Sequence, residues 1–127
     1  MTKLETSTFQ PLDFNEPEGR LIAYEVAGKI TAEQAQPVFD RIERANAEGR
    51  KLRLYYELHG FPTSEGSVML EKLRHLGTIL KTIERIAIVG DQRWLTAYTV
   101  IFDPLTKADL RNFKSDDRAA ALAWIQE

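Results

Sequence analysis

Arg85-Ile86-Ala87-Ile88-Val89-Gly90 is a short apolar run that opens on arginine and closes on glycine. A strand with one face in water alternates apolar with polar residues, whereas a strand covered on both faces reads as a continuous apolar run. The segment therefore predicts a strand covered on both faces. Before it, Met69, Leu73, Leu76, Leu80 and Ile83 fall within about 40° of one line at 100° per residue, with Glu71, Arg74, Thr78, Lys81 and Thr82 opposite. That periodicity predicts a helix from about Ser64 to Thr82. Earlier still, Lys51–Leu58 places Leu52, Leu54, Tyr56 and Leu58 on one face of a second strand. His59–Gly66 is expected to be a loop.

Toward the N-terminus, Thr31 opens a helix and Gln34, three residues on, completes a capping box. Ala35, Val38, Ile42 and Ala45 form its inward stripe, Gly49 supplies its stop, and Pro37 should bend its first turn. Leu21–Val26 alternates as a strand that Gly28 ends. Phe9–Phe14, interrupted by Pro11, suits an edge strand, and Asn15–Gly19 makes the turn of a hairpin. Downstream, Asp91 caps a helix with body Arg93–Phe102, which Asp103-Pro104 ends. Ala108–Phe113 makes the last strand. Ser115 caps a final helix with Asp116 and Asp117 in its first turn. The order β-β-α-β-α-β-α-β-α predicts an α/β fold: a mostly parallel five-stranded sheet with an antiparallel edge strand and about four flanking helices. Leu52–Leu58 and Ile86–Val89 are expected as adjacent central strands.

A length of 127 residues suits a single domain over 1–127, and a chain of this size buries about two-thirds of its unfolded surface. Apolar residues at 43% and charged residues at 28% are the mix of a soluble globular chain. Seventeen Lys and Arg face nineteen Asp and Glu, for a net charge of −2 spread without blocks of one sign. This disfavours a general nucleic-acid binder. The absence of cysteine excludes disulfides, thiolate catalysis and cysteine-based metal centres. Met1–Gln10 lacks the apolar core of a signal peptide, so a cytoplasmic location is expected.

The segment Arg85-Ile86-Ala87-Ile88-Val89-Gly90-Asp91-Gln92-Arg93-Trp94 resembles the most recognisable stretch of the SpoIIAA-like family, an offshoot of the STAS domains. The resemblance extends through Phe113 and Asp116–Trp124, and backward to Gly28-Lys29-Ile30-Thr31 and the helix that contains Pro37. It implies a small cytoplasmic binding or regulatory module with no established chemistry. Anti-sigma-factor antagonists of the wider group carry a phosphorylatable serine after the third strand, commonly within Asp-Ser-Ser-Gly. Here the matching segment is Phe61-Pro62-Thr63-Ser64-Glu65-Gly66. Aligning Gly66 with the motif glycine puts Glu65 at the phosphoserine position and Ser64 beside it, so no phosphorylation switch is expected.

His59 and His75 are read as ordinary loop and surface histidines; neither a metal site nor a cofactor is expected. No G-x-S-x-G elbow, P-loop or G-x-G-x-x-G fingerprint is present. In the helix Arg93–Phe102, the apolar residues spread over roughly 160°, wider than the usual stripe of a helix lying on a sheet. Trp94, Tyr98 and Phe102, with Met69 on the preceding helix, are therefore the candidate ligand- or partner-binding residues. The reading is a non-catalytic module acting through a protein partner or as a homodimer. Its alternative is a carrier or sensor of an apolar small molecule or lipid in a groove beside that helix. Lys72, Arg74, Lys81 and Arg85 are diluted by Glu71 and Glu84, so membrane contact is at most peripheral. Trp124 is expected to anchor the last helix on the sheet.

Overall fold

The computed structural model describes residues 8–14, 19–64, 66–90 and 109–127. Its strands are β1 (Thr8–Pro11), β2 (Leu21–Ile30), β3 (Leu52–Ser64), β4 (Ile83–Val89) and β5 (Asp109–Phe113). They form one sheet in the order β1-β2-β3-β4-β5, in which β1 is antiparallel to β2 and every other pairing is parallel. The mostly parallel sheet with an antiparallel edge is thus as expected, and β3 and β4 are neighbours. No described helix is long and apolar enough to cross a membrane.

Helix α1 (Ala32–Ala47) begins where Thr31 and Gln34 close the anticipated capping box: each side chain bonds the other's backbone N–H, at 3.2 and 2.9 Å. It ends in a Schellman turn. Gly49, at φ 70°, donates to Asn46, and Arg50 reaches back to the Ala45 carbonyl at 2.8 Å. Ala35, Val38, Ile42 and Ala45 are buried, joined by Phe39. They pack on Ile22, Val26, Leu52, Leu54 and Leu58 of β2 and β3. The opposite face carries Ala23, Tyr55, Ala87 and Val89 under Ala121, Trp124 and Ile125 of the last helix, α4 (Arg118–Ile125). Ile88 and Ala87 therefore point to different cores, and the apolar run at β4 is covered on both sides. Each buried aliphatic side chain of this kind contributes about 1.5–3 kcal/mol.

Five local expectations need correction. Gly28 does not end β2. At φ 73° it passes through an irregularity, after which Lys29 and Ile30 pair with Thr63 and Ser64. The expected loop His59–Gly66 is accordingly strand as far as Ser64, with Pro62 in the irregular stretch where no ladder N–H is needed. The helix expected over Ser64–Thr82 is two helices, α2 (Gly66–Arg74) and α3 (Leu76–Thr82), because His75 (ψ 7°) turns its ring to α1. Ile83, expected on that helix, is instead the first residue of β4. Finally, Ser115 caps nothing: Ser115–Asp117 is a 3-10 turn, and α4 starts at Arg118 without a side-chain cap.

Candidate functional site

The parallel strands β2, β3 and β4 present their C-terminal ends together, the edge at which open α/β sheets hold ligands. On the α4 side of that edge, strand alternation lines up Tyr55, Glu57 and His59 of β3 beside Glu25 of β2, which pairs with Glu57. Tyr55 is wholly buried, and its hydroxyl donates to Glu57 Oε2 at 2.7 Å. Burial, and then the bond to Glu57, push the Tyr55 phenol well above its ordinary value, so it stays neutral. Arg118, the first residue of α4, forms an ion pair with the same carboxylate. Its guanidinium lies 5.6 Å over the Phe14 ring, which meets Tyr55 edge-on. At the rim, His59 Nε2 and Glu25 Oε2 are 2.9 Å apart.

The other end of α4 is held just as firmly. Arg53 and Arg85 donate to the carbonyls of Ile125 and Trp124, each at 2.9 Å, filling acceptors that a helix C-terminus otherwise leaves open. Arg53 also pairs with Glu84 at 2.8 Å. Arg85 and Arg111 lie over the Trp124 ring, at 5.2 and 4.7 Å from its centre. Trp124 is the anchor that the sequence suggested.

Glu25, Glu57 and His59 each bring a donor atom within 4.8 Å of the others, the one group among the described residues that could meet a single cation. Each donor already has a partner, however, and a cation there would have to share Glu57 with Arg118. His59 reads as a loop residue in the sequence because the apolar alternation stops at Leu58, whereas β3 continues to Ser64. The signal was present in the period-two spacing Tyr55-x-Glu57-x-His59 on one face of a central strand.

His75 is likewise no ordinary surface histidine. Its Nδ1 lies 2.5 Å from Glu43 Oε2 of α1, its Nε2 lies 3.2 Å from Glu71 Oε2 one turn earlier in α2, and its ring stacks on Phe39. Glu71 at i−4 was visible in the sequence and was missed. The hydrogen bond from His75 holds the Glu43 carboxyl below its ordinary value.

Of the residues singled out in the sequence, Ser64 ends β3, opposite Ile30, and Met69 falls within α2. Trp94, Tyr98 and Phe102, and the helix expected around them, lie outside the described residues. Leu70 of α2, not singled out, is the large hydrophobic side chain left open among the described residues, at 63% exposure.

An antiparallel edge hairpin leading into parallel strands, with helices on both faces and the polar groups under α4 bound to one another, defines an α/β domain of SpoIIAA-like fold. The chain belongs to the SpoIIAA-like family, whose model matches residues 21–126. It is similar in fold to the crystal structure of an uncharacterized protein of the DUF3478 family with a SpoIIAA-like fold from Shewanella loihica PV-4. The two share 17% identity and a TM-score of 0.72, over 98% of this chain and 99% of that one. No curated protein matches the chain. Membership of this family supports a binding or regulatory module in general.

Proposed function

We propose that the protein is a non-catalytic regulatory module that works by docking a protein partner or a second copy of itself through α2 and the segment after β4. The observation that carries this reading is Leu70. A single exposed leucine is ordinary on a protein surface, but this one lies on the helix that leaves the central strand, next to Met69. The buried acid and phenol under α4 support the same reading, because they are engaged with Arg118 rather than directed at open space. In the proposal, Met69 and Leu70 supply one part of the contact, and Trp94, Tyr98 and Phe102 supply the other.

Native mass spectrometry of the gently purified full chain reads bound protein, copy number and co-purified small molecules in one spectrum. The expected result is a dimer or a protein complex that is lost in Leu70→Glu, an exposed substitution that should change stability by no more than about 0.5 kcal/mol. A monomer carrying a fatty acid or similar apolar mass, equally in the wild type and Leu70→Glu, would replace this reading with that of a small-molecule carrier.

A further inference from the structure

His75 is the single non-helical residue between α2 and α3, at φ −98° and ψ 7°. That break aims its ring at α1 instead of along the helix it interrupts. We propose that His75 is a proton-operated clasp: its doubly protonated ring ties Glu71 of α2 to Glu43 of α1, and loss of one proton unfastens α2. Leu70 also lies on α2, but the clasp is a property of the free chain and stands apart from the docking reading.

The need for two protons follows from the geometry. Nδ1 is 2.5 Å from Glu43 Oε2, and Nε2 is 3.2 Å from Glu71 Oε2. An ionised carboxylate only accepts, and a neutral imidazole has one N–H and one lone pair. Both contacts are therefore hydrogen bonds only when the ring is an imidazolium. The ring lies on Phe39, with centroids 5.0 Å and planes 14° apart, and an aromatic face attracts a cation. Among the described residues, the charged groups bonded into this cluster are Glu43 from α1 and Glu71 from α2, with Arg74 on Glu71 Oε1 at 2.8 Å. From α3 comes the uncharged Thr78, whose hydroxyl donates to Glu43. Imidazolium and Arg74 thus balance the two carboxylates. A neutral ring would turn a lone pair on one of them. The shorter contact keeps the remaining proton, so the bond to Glu71 is the one lost.

Packing decides which helix lets go. Ile79 of α3 packs against both apolar clusters under α1, and Thr82 at its end is buried. In α2, Gly66, Ser67, Leu70 and Arg74 are exposed and Glu71 is half-buried. Among the described residues, neither cluster takes a side chain from α2. A segment with few buried contacts opens at the least cost. Histidine is the side chain whose charge changes between about pH 5 and 8. The clasp is therefore closed on the acid side of the ring's titration and open on the alkaline side. At the acid end it lasts until Glu43 gains a proton, and the bond from His75 holds that carboxyl below its ordinary value.

The test is NMR of the 15N-labelled full chain across the histidine range, reading the His75 ring nitrogens and the exchange protection of each amide, corrected for the chemical exchange rate. Expected on the acid side is a ring with two N–H nitrogens. As the ring titrates, protection at residues 70–74 of α2 should fall about tenfold on the same curve, the loss of one hydrogen bond between charged groups. Protection in α1 and β3 should stay. Glu71→Gln should abolish the step, because a carboxamide accepts from an imidazolium through its oxygen and donates to a neutral ring through its nitrogen. A ring with one bare nitrogen while α2 is protected, or a full step in Glu71→Gln, would overturn the clasp. So would protection in α2 that ignores the His75 curve or follows that of His59. Loss of protection throughout α1 and β3 on the His75 curve would overturn the local opening.

Discussion

Replacing Tyr55 by phenylalanine isolates the polar network under α4. The ring keeps its buried contacts, so the apolar contribution is unchanged and the loss is confined to the hydroxyl. That hydroxyl donates to a carboxylate at 2.7 Å, a bond to a charged group worth about 1.5–3 kcal/mol. Glu57 retains Arg118, so it is not orphaned, and the net cost at pH 7 should fall near about 1–2 kcal/mol. Urea unfolding with a slope near 2 kcal/mol/M would show this as a drop in midpoint of about 0.5–1 M. A second reading comes from pH. The folded phenol is raised above its ordinary value near 10, so above that pH the unfolded chain sheds a proton that the native state keeps. Wild-type stability then falls by up to about 1.4 kcal/mol per pH unit, and Tyr55→Phe lacks this slope. The gap between the two proteins should therefore close near pH 11 and reverse beyond it. A variant as stable as the wild type at pH 7, or a gap independent of pH, would refute the reasoning.

Gly90→Ala would place a methyl 3.0 Å from the Leu58 carbonyl oxygen and 3.4 Å from Leu58 Cβ. The backbone of the central strands must give, at about 1–3 kcal/mol; thermal unfolding should read this as a Tm lower by roughly 4–10 °C, and an unchanged Tm would count against the close approach. Glu43, held down by its bond to His75, contributes stability above its ordinary value that is lost as pH falls through the folded one. Carboxyl NMR should place its midpoint below that ordinary value in the wild type and return it upward in His75→Ala; equal midpoints would dissolve the link. Hydrogen exchange should be slowest at Leu52–Leu58 and Ile86–Val89, the adjacent strands between the two cores, and fast exchange at Ile86–Val89 would contradict the sheet order.

What could be read from the sequence was what neighbouring residues settle among themselves. Thr31 and Gln34 sit three apart, Gly49 follows the last turn of a helix, and Ile86–Val89 is apolar without alternation, so each carries its own evidence. Where a distant residue decides the outcome, the local pattern misled. Thr63 and Ser64 look like a loop until Lys29 and Ile30 pair with them. Ser115 looks like a cap, yet Glu57 draws Arg118 to the helix start instead. His75 interrupts a periodic apolar stripe because Glu43, 32 residues earlier, takes its ring. Trp94, Tyr98 and Phe102 still rest on periodicity alone.

The order of strands across the sheet is the order in which the chain delivers them. No later strand has to be threaded between two earlier ones, so each new strand adds to an edge already present. Assembly can then proceed by accretion as the polypeptide emerges from the ribosome, with the pairings between successive strands keeping loop-closure costs modest. The liability moves to the growing edge. Until β5 arrives, β4 is an apolar strand with a bare flank, the kind that invites pairing with another chain. Once β5 is in place, the margin it shows to solvent bears Asp109 and Arg111 at exposed positions, charges that discourage any further strand from joining.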